Sequence, residues 1–270
     1  MSDSPRTVFL DFDGTLAVHG VVPAPHVEAV RAARERGHRV LLCTGRPRCG
    51  VPEAALRIGW DGLVCSAGAY VEIDGRVLHD ARFPAELAKR TVRALDAHGV
   101  VFALEAPEAN LVRAGELPRL LAGLQAAGFA PSFGPELGLT AAERVEGASF
   151  VKVTCFDAPV PVERIAREIG PELDSVPLSL PGCGHGGEIH LRGMHKAVGA
   201  ALAVQALGTD PERVLAVGDS RNDLELLDYA ALAVAIRGAE ERLIDAADRI
   251  APPPEEHGVA VLFTELGLSG

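Results

Sequence analysis

Thr7-Val-Phe-Leu-Asp11-Phe-Asp13-Gly-Thr15 is a short apolar run that stops on two carboxylates. A run of this length, rich in β-formers and closed by glycine, predicts a buried strand. Asp11 and Asp13 then fall where the strand ends. Because the chain bends at Gly14, both carboxylates can face one point beyond the sheet, the edge at which open α/β sheets bind ligands. Two anions that close repel unless a cation or a proton lies between them, and a divalent, oxygen-seeking ion resolves the conflict. A plain turn with Asp in an Asx or capping role fits the same residues, so the remaining chain has to decide.

Working outward, Pro25–Gly37 reads as a crossover helix, with Val27, Val30 and Ala33 at helical spacing. Arg39–Cys43 is a second buried strand ending on Thr44-Gly45-Arg46, and Gly62–Ser66 a third. Strand, helix, strand at this spacing predicts a parallel pair. Tyr70–Ile73 and His79-ended Arg76–His79 are joined by Asp74-Gly75, a two-residue hairpin signal, and this meander is expected to lead out of the main sheet. From Phe83 to Leu191 strands and helices alternate less regularly, around a glycine-rich turn at Pro181–Gly187. The parallel pattern resumes with a helix carrying Lys196 and with strand Val214–Val217, which runs into Gly218-Asp219-Ser220-Arg221-Asn222-Asp223. The expected architecture is α/β: a doubly wound, mostly parallel, Rossmann-like core over 1–82 and 192–270, with an inserted α+β domain over 83–191.

Length supports two cores, since 270 residues are many for one. The formal net charge of −11 and the lack of a basic tract argue against nucleic-acid or anionic-membrane partners. Five cysteines without a Cys-x-x-Cys pair suit a reducing, cytoplasmic compartment, and the polar N-terminus carries no signal-like segment. Of 26 basic residues only Lys89, Lys152 and Lys196 are lysine, so a lysine in this chain stands out.

In a doubly wound sheet the strand ends share one edge. There Asp11 and Asp13, Thr44, Lys196, and Asp219 with Asn222 and Asp223 can meet although more than 200 positions separate the first from the last. Carboxylates to hold a hard cation, with a hydroxyl, an ammonium and backbone amides, are the chemistry of a phosphoryl site. Each piece alone has an ordinary reading: Gly218–Asp223 as a strand-to-helix turn with an Asp cap, Thr44–Arg46 as a turn, Lys196 as a solvated helix charge. Their joint occurrence, in order, at equivalent sheet positions, favours the site.

The set resembles the haloacid dehalogenase-like hydrolases over Val8–Thr15, Cys43–Arg46, Lys196 and Ala216–Leu227, and the insertion resembles the Cof-like phosphatase branch with a type IIB cap. The resemblance implies Asp11 as nucleophile, forming an aspartyl-phosphate, and Asp13 as acid and base. It further implies Thr44, Gly45, Lys196 and Asn222 around the phosphoryl group, and Mg²⁺ held by Asp11, Asp13 through its carbonyl, and Asp219, with Asp223 behind them. The implied activity is hydrolysis of small phosphomonoesters such as a sugar phosphate or phosphorylated cofactor. A phosphotransferase using the same parts and a phosphorylatable signalling module are the alternatives. Ala67-Gly68-Ala69 departs from the Asn-Gly-Ala common in related sequences. Arg46, Lys152 and His185 are possible substrate contacts; Lys152 could either snorkel to solvent or point at a ligand. A zinc cluster of Cys183, His185, His190 and His195 matches no closed-site spacing.

Overall fold

The computed structural model describes residues 4–126, 133–177 and 185–270. By packing, the chain separates into two compact units, Met1–Gly45 with Pro52–His79 and His195–Gly270, and Arg46–Val51 with Asp80–Met194.

The first unit opens with β1 (Thr7–Leu10), α1 (Ala24–Glu35), β2 (Arg39–Cys43), α2 (Glu53–Leu56), β3 (Gly62–Cys65), β4 (Tyr70–Ile73) and β5 (Arg76–Asp80). Every residue of β1 and β3, and all of β2 but Arg39, is buried. Strands without alternation are what a parallel sheet covered on both faces requires. β1 pairs in parallel with β2, and β2 with β3.

The Asp74-Gly75 hairpin forms as expected, with both residues left-handed (φ 49 and 73). It does not leave the main sheet. β4 pairs antiparallel with β3, from Gly62 against Ile73 to Cys65 against Tyr70, and β5 forms the sheet edge. The cause is the turn between them, where Ser66 (φ 48), Ala67 (φ 53) and Gly68 (φ 100) reverse the chain within a few residues. A Cβ on Gly68 would collide with the His195 carbonyl. Ala67 carries a Cβ in a region that disfavours one, so Ala67→Gly is expected to stabilise the protein by about 0.5–1 kcal/mol in urea unfolding. A lower midpoint in that titration would show that the Ala67 methyl packs for more than its strain.

The second unit contains α3 (Ala85–Ala97), β6 (Val101–Glu105), β7 (Asn110–Arg113), α4 (Leu117–Ala126), α5 (Phe133–Glu136), β8 (Leu139–Ala142), β9 (Lys152–Asp157), α6 (Val162–Ile169), β10 (Leu173–Pro177) and β11 (Gly187–Leu191). Among the described residues its sheet runs β10-β11-β9-β6-β7-β8. One face packs Phe102, Leu104, Val153, Cys155 and Ile189 against α3 and α6. On the other, Val101, Ala103, Val112 and Phe156 meet Leu120 and Leu124 of α4. The short β7 and β8 escape a periodicity reading because they pair in parallel across 25 or more residues. The expected strand to Leu180 and the glycine-rich turn lie partly outside the described residues.

Arg46–Val51, which sequence placed within 1–82, packs with the second unit. Cys49 Sγ donates to the Ala106 carbonyl at 3.5 Å, and a Cβ on Gly50 would come 3.0 Å from the Leu137 carbonyl.

The chain returns to the first unit with α7 (Lys196–Leu207), β12 (Val214–Gly218), α8 (Leu224–Tyr229), β13 (Leu232–Ile236), α9 (Glu241–Ala246), β14 (Arg249–Ala251) and α10 (Gly258–Glu265). β12 pairs in parallel with β1, so the sheet order is β14-β13-β12-β1-β2-β3-β4-β5. Connections run one way from β1 and the other way from β12. Between these two strands lies the switch point, where ligands bind in such sheets.

Candidate active site

Lys196 organises the switch point. It opens α7 and is fully buried; its Nζ lies 2.5 Å from Asp11 Oδ1 and 2.6 Å from Asp223 Oδ1. Burial works to lower an ammonium pKa, yet the two carboxylates outweigh it and hold Lys196 above its ordinary value. Asp11 follows the last residue of β1, its amide donating to the Val217 carbonyl at 3.0 Å. Asp223 spends its second oxygen on the Asp219 and Ser220 amides, each at 3.2 Å, forming a capping box with Ser220. The ordinary capping reading of Gly218–Asp223 and the site reading therefore hold at once.

Asp219 is oriented by Thr15, whose Oγ1 donates to Oδ1 at 2.9 Å. Thr15 was legible as the last residue of the first motif, but its bond across 204 positions was not. Gly14, left-handed at φ 80, leaves the space that Asp219 fills: a Cβ there would strike its carboxylate. Gly45 and Asn222 are likewise brought together, with Asn222 Nδ2 3.2 Å from where a Gly45 Cβ would stand. Thr44 is buried at the end of β2, its amide bonded to the Val64 carbonyl at 2.8 Å. Asp13 is exposed, two residues beyond Asp11.

Asp11, Asp219 and Asp223 bring carboxylate oxygens within 4.8 Å of one another, and this is the group of potential metal ligands found among the described residues. Three carboxylates against one ammonium leave two uncompensated negative charges in a largely buried place. Burial, then repulsion from Asp223 and Asp219, raises the Asp11 carboxyl well above its usual range despite the opposing pull of Lys196. Burial and Asp223 push Asp219 up to about 6. Oxygen donors carrying this excess charge suit a hard divalent cation.

The remaining candidates belong to the second unit. Arg46 is buried and its Nη1 donates to the Gly50 carbonyl at 3.0 Å. Lys152 does not snorkel: it is buried on β9, with Glu188 at 2.6 Å and Glu105 at 3.2 Å. Burial lowers its pKa less than these two carboxylates raise it. Thr154 donates to the same Glu105. His185 is exposed, and Cys183 of the discarded zinc reading lies outside the described residues.

The fold and the lysine-bridged carboxylates define a doubly wound α/β core with an acidic site at its switch point. The family model for haloacid dehalogenase-like hydrolases matches residues 8–263, and the chain belongs to that family, in the Cof-like branch. It is 27% identical over 269 residues to YkrA of Bacillus subtilis, a proposed phosphatase, covering 97% of this chain and 98% of that one. A proposed bifunctional phosphatase/peptidyl-prolyl cis-trans isomerase of Streptococcus pyogenes serotype M6 is 26% identical over 272 residues; the alignment covers 97% of this chain, which spans about half (54%) of that relative. In fold the chain resembles BT1666 of Bacteroides thetaiotaomicron, a phosphatase of the same superfamily, with TM-score 0.81, 19% identity, and coverage of 99% and 97%. Among the described residues no helix is long and apolar enough to cross a membrane.

Proposed function

We propose that this protein hydrolyses small phosphomonoesters in a Mg²⁺-dependent reaction through an aspartyl-phosphate on Asp11. The observation that carries the reading is the Lys196 ammonium shared by Asp11 and Asp223 beside Asp219. An anionic nucleophile must approach an anionic phosphoryl group, and a buried ammonium on the nucleophile's own oxygen offsets their repulsion. Asp11 attacks phosphorus: its O–P bond forms as the ester P–O bond breaks, and Asp13 gives its proton to the leaving oxygen. Asp13 then takes a proton from water, whose oxygen attacks phosphorus and releases Asp11. Thr44, Gly45 and Asn222 hold the equatorial oxygens, and the exposed His185 is the substrate contact of the second unit.

Asp11, Asp219 and the Asp13 carbonyl would hold Mg²⁺, which would supply charge neutralisation for the phosphoryl group. Asp223, with both oxygens already engaged by Lys196 and two amides, supports the ligands from behind.

Turnover of a panel of phosphate esters, with Mg²⁺ and then with EDTA, tests the activity; hydrolysis undiminished by EDTA would refute the metal. A second readout needs no catalysis. Ligands must lose their protons to bind metal, and burial with the Asp223 charge pushes Asp219 up to about 6. Its carboxylate is free to bind above that pH and is increasingly protonated below it. Saturating Mg²⁺ is therefore expected to raise the unfolding temperature by several degrees at pH 7.5, from about 2.7 kcal/mol at a hundredfold excess over Kd, and by much less at pH 5. The same rise at both pH values would exclude these ligands.

A further inference from the structure

His26 sits in the first turn of α1, fully buried, and takes no part in the steps above. Its ring bridges two segments far apart in sequence: Nδ1 lies 2.8 Å from the Leu16 carbonyl oxygen and Nε2 3.3 Å from the Val259 amide nitrogen. A carbonyl only accepts and an amide N–H only donates, so the partners select one neutral tautomer, with the proton on Nδ1 and the lone pair on Nε2. Burial, which holds His26 below its ordinary pKa, agrees with a neutral ring. At its far end the imidazole accepts from one of the first amides of α10, a helix whose own N-cap residue, His257, makes no side-chain cap.

The near end leads to the proposed acid. The Leu16 amide donates to the Phe12 carbonyl at 3.0 Å, the Ala17 amide to the same carbonyl at 2.8 Å, and the Gly14 amide to the Ala17 carbonyl at 3.2 Å. Asp13 stands within this closed loop, bridged to Ala17. Thr15 ties one side of the loop to Asp219; His26 ties the other. An acid must meet a leaving oxygen within hydrogen-bonding reach, and misplacement by about 1 Å can cost on the order of 10²-fold.

We infer that His26 is a positioning residue for Asp13: its Nδ1–H fixes the Leu16 carbonyl and thereby the loop carrying the general acid. The inference rests on the phosphatase reading above.

The test compares two esters. 4-Nitrophenyl phosphate loses a stable phenolate without help, whereas 2-glycerol phosphate loses an alkoxide that needs a proton. The readout is the ratio of their kcat/KM values, which covers steps only up to departure of the alcohol. Asp13→Asn is expected to widen the aryl-to-alkyl ratio by about 10² or more. His26→Asn keeps a donor near the place of Nδ1 and loses the acceptor for Val259; the ratio should stay within about threefold of wild type although the protein is less stable. His26→Gln puts its amide near the place of Nε2, satisfying Val259 and abandoning Leu16, and should widen the ratio at least about tenfold. Equal losses on both esters in His26→Gln, or a widened ratio in His26→Asn, would overturn the assignment while the phosphatase reading stands. An unchanged ratio in Asp13→Asn removes the acid and His26's role with it. If the wild type hydrolyses neither ester nor any other in the panel, the phosphatase reading itself falls.

Discussion

Asp11→Asn is expected to lower kcat/KM for every phosphomonoester by at least about 10²-fold, some 2.7 kcal/mol of transition-state stabilisation, without weakening the metal-free fold. The amide has nearly the volume of the carboxylate but no anionic oxygen to attack phosphorus. Its effect on stability follows from the carboxyl pKa, which burial raises well above the ordinary range. The ionised form of Asp11 is thus costly in the metal-free protein, and removing its charge reduces the excess from two negative charges to one. Lys196 keeps Asp223 at 2.6 Å. The unfolding temperature without metal should stay level or rise, and the increase produced by Mg²⁺ should shrink. A variant that retains more than about a hundredth of wild-type activity would remove Asp11 as nucleophile.

Lys196→Arg conserves charge and should nevertheless cost at least about 10²-fold in kcat/KM. The ammonium is a compact donor seated between two carboxylate oxygens at 2.5 and 2.6 Å, with no exposed surface. A guanidinium is planar and wider, and it pairs bidentately with a carboxylate, which would turn Asp11 from the attack line or separate it from Asp223. α7 leaves little room to adjust. A Cβ on Gly199 would lie 2.9 Å from Gly68 Cα. Overpacking of a dense core typically costs about 1–3 kcal/mol, so thermal stability should fall as well. Wild-type kinetics with wild-type stability would mean that Lys196 is an ordinary helix charge.

Much of the core and its site was legible because the decisive signals are local. β1, β2, β3, β12 and β13 are apolar runs ended by glycine or polar residues, and a strand buried on both faces needs nothing more to be recognised. Asp74-Gly75 marked its hairpin by turn chemistry alone. Residues that cluster after such strand ends could be assigned to one edge of the sheet before any contact was known.

Other features depended on partners that no local pattern encodes. The left-handed run Ser66–Gly68 returns β4 onto the main sheet, and β7 with β8 are strands because of whom they pair with. Arg46–Val51 continues a core strand in sequence but packs with the second unit. Lys152 could be named as unusual, yet burial between Glu105 and Glu188 came only from the cross-strand register. By itself the sequence determined which residue types stand at the sheet edge, since strand and helix periods are written in neighbouring residues. The tertiary structure alone decided that Lys196 is shared by Asp11 and Asp223, that Thr15 holds Asp219, and that His26 joins Leu16 to Val259. A hydrogen bond depends on distances of a few tenths of an ångström, and chain separations of 10 to 233 residues carry no such distance until the sheet has closed.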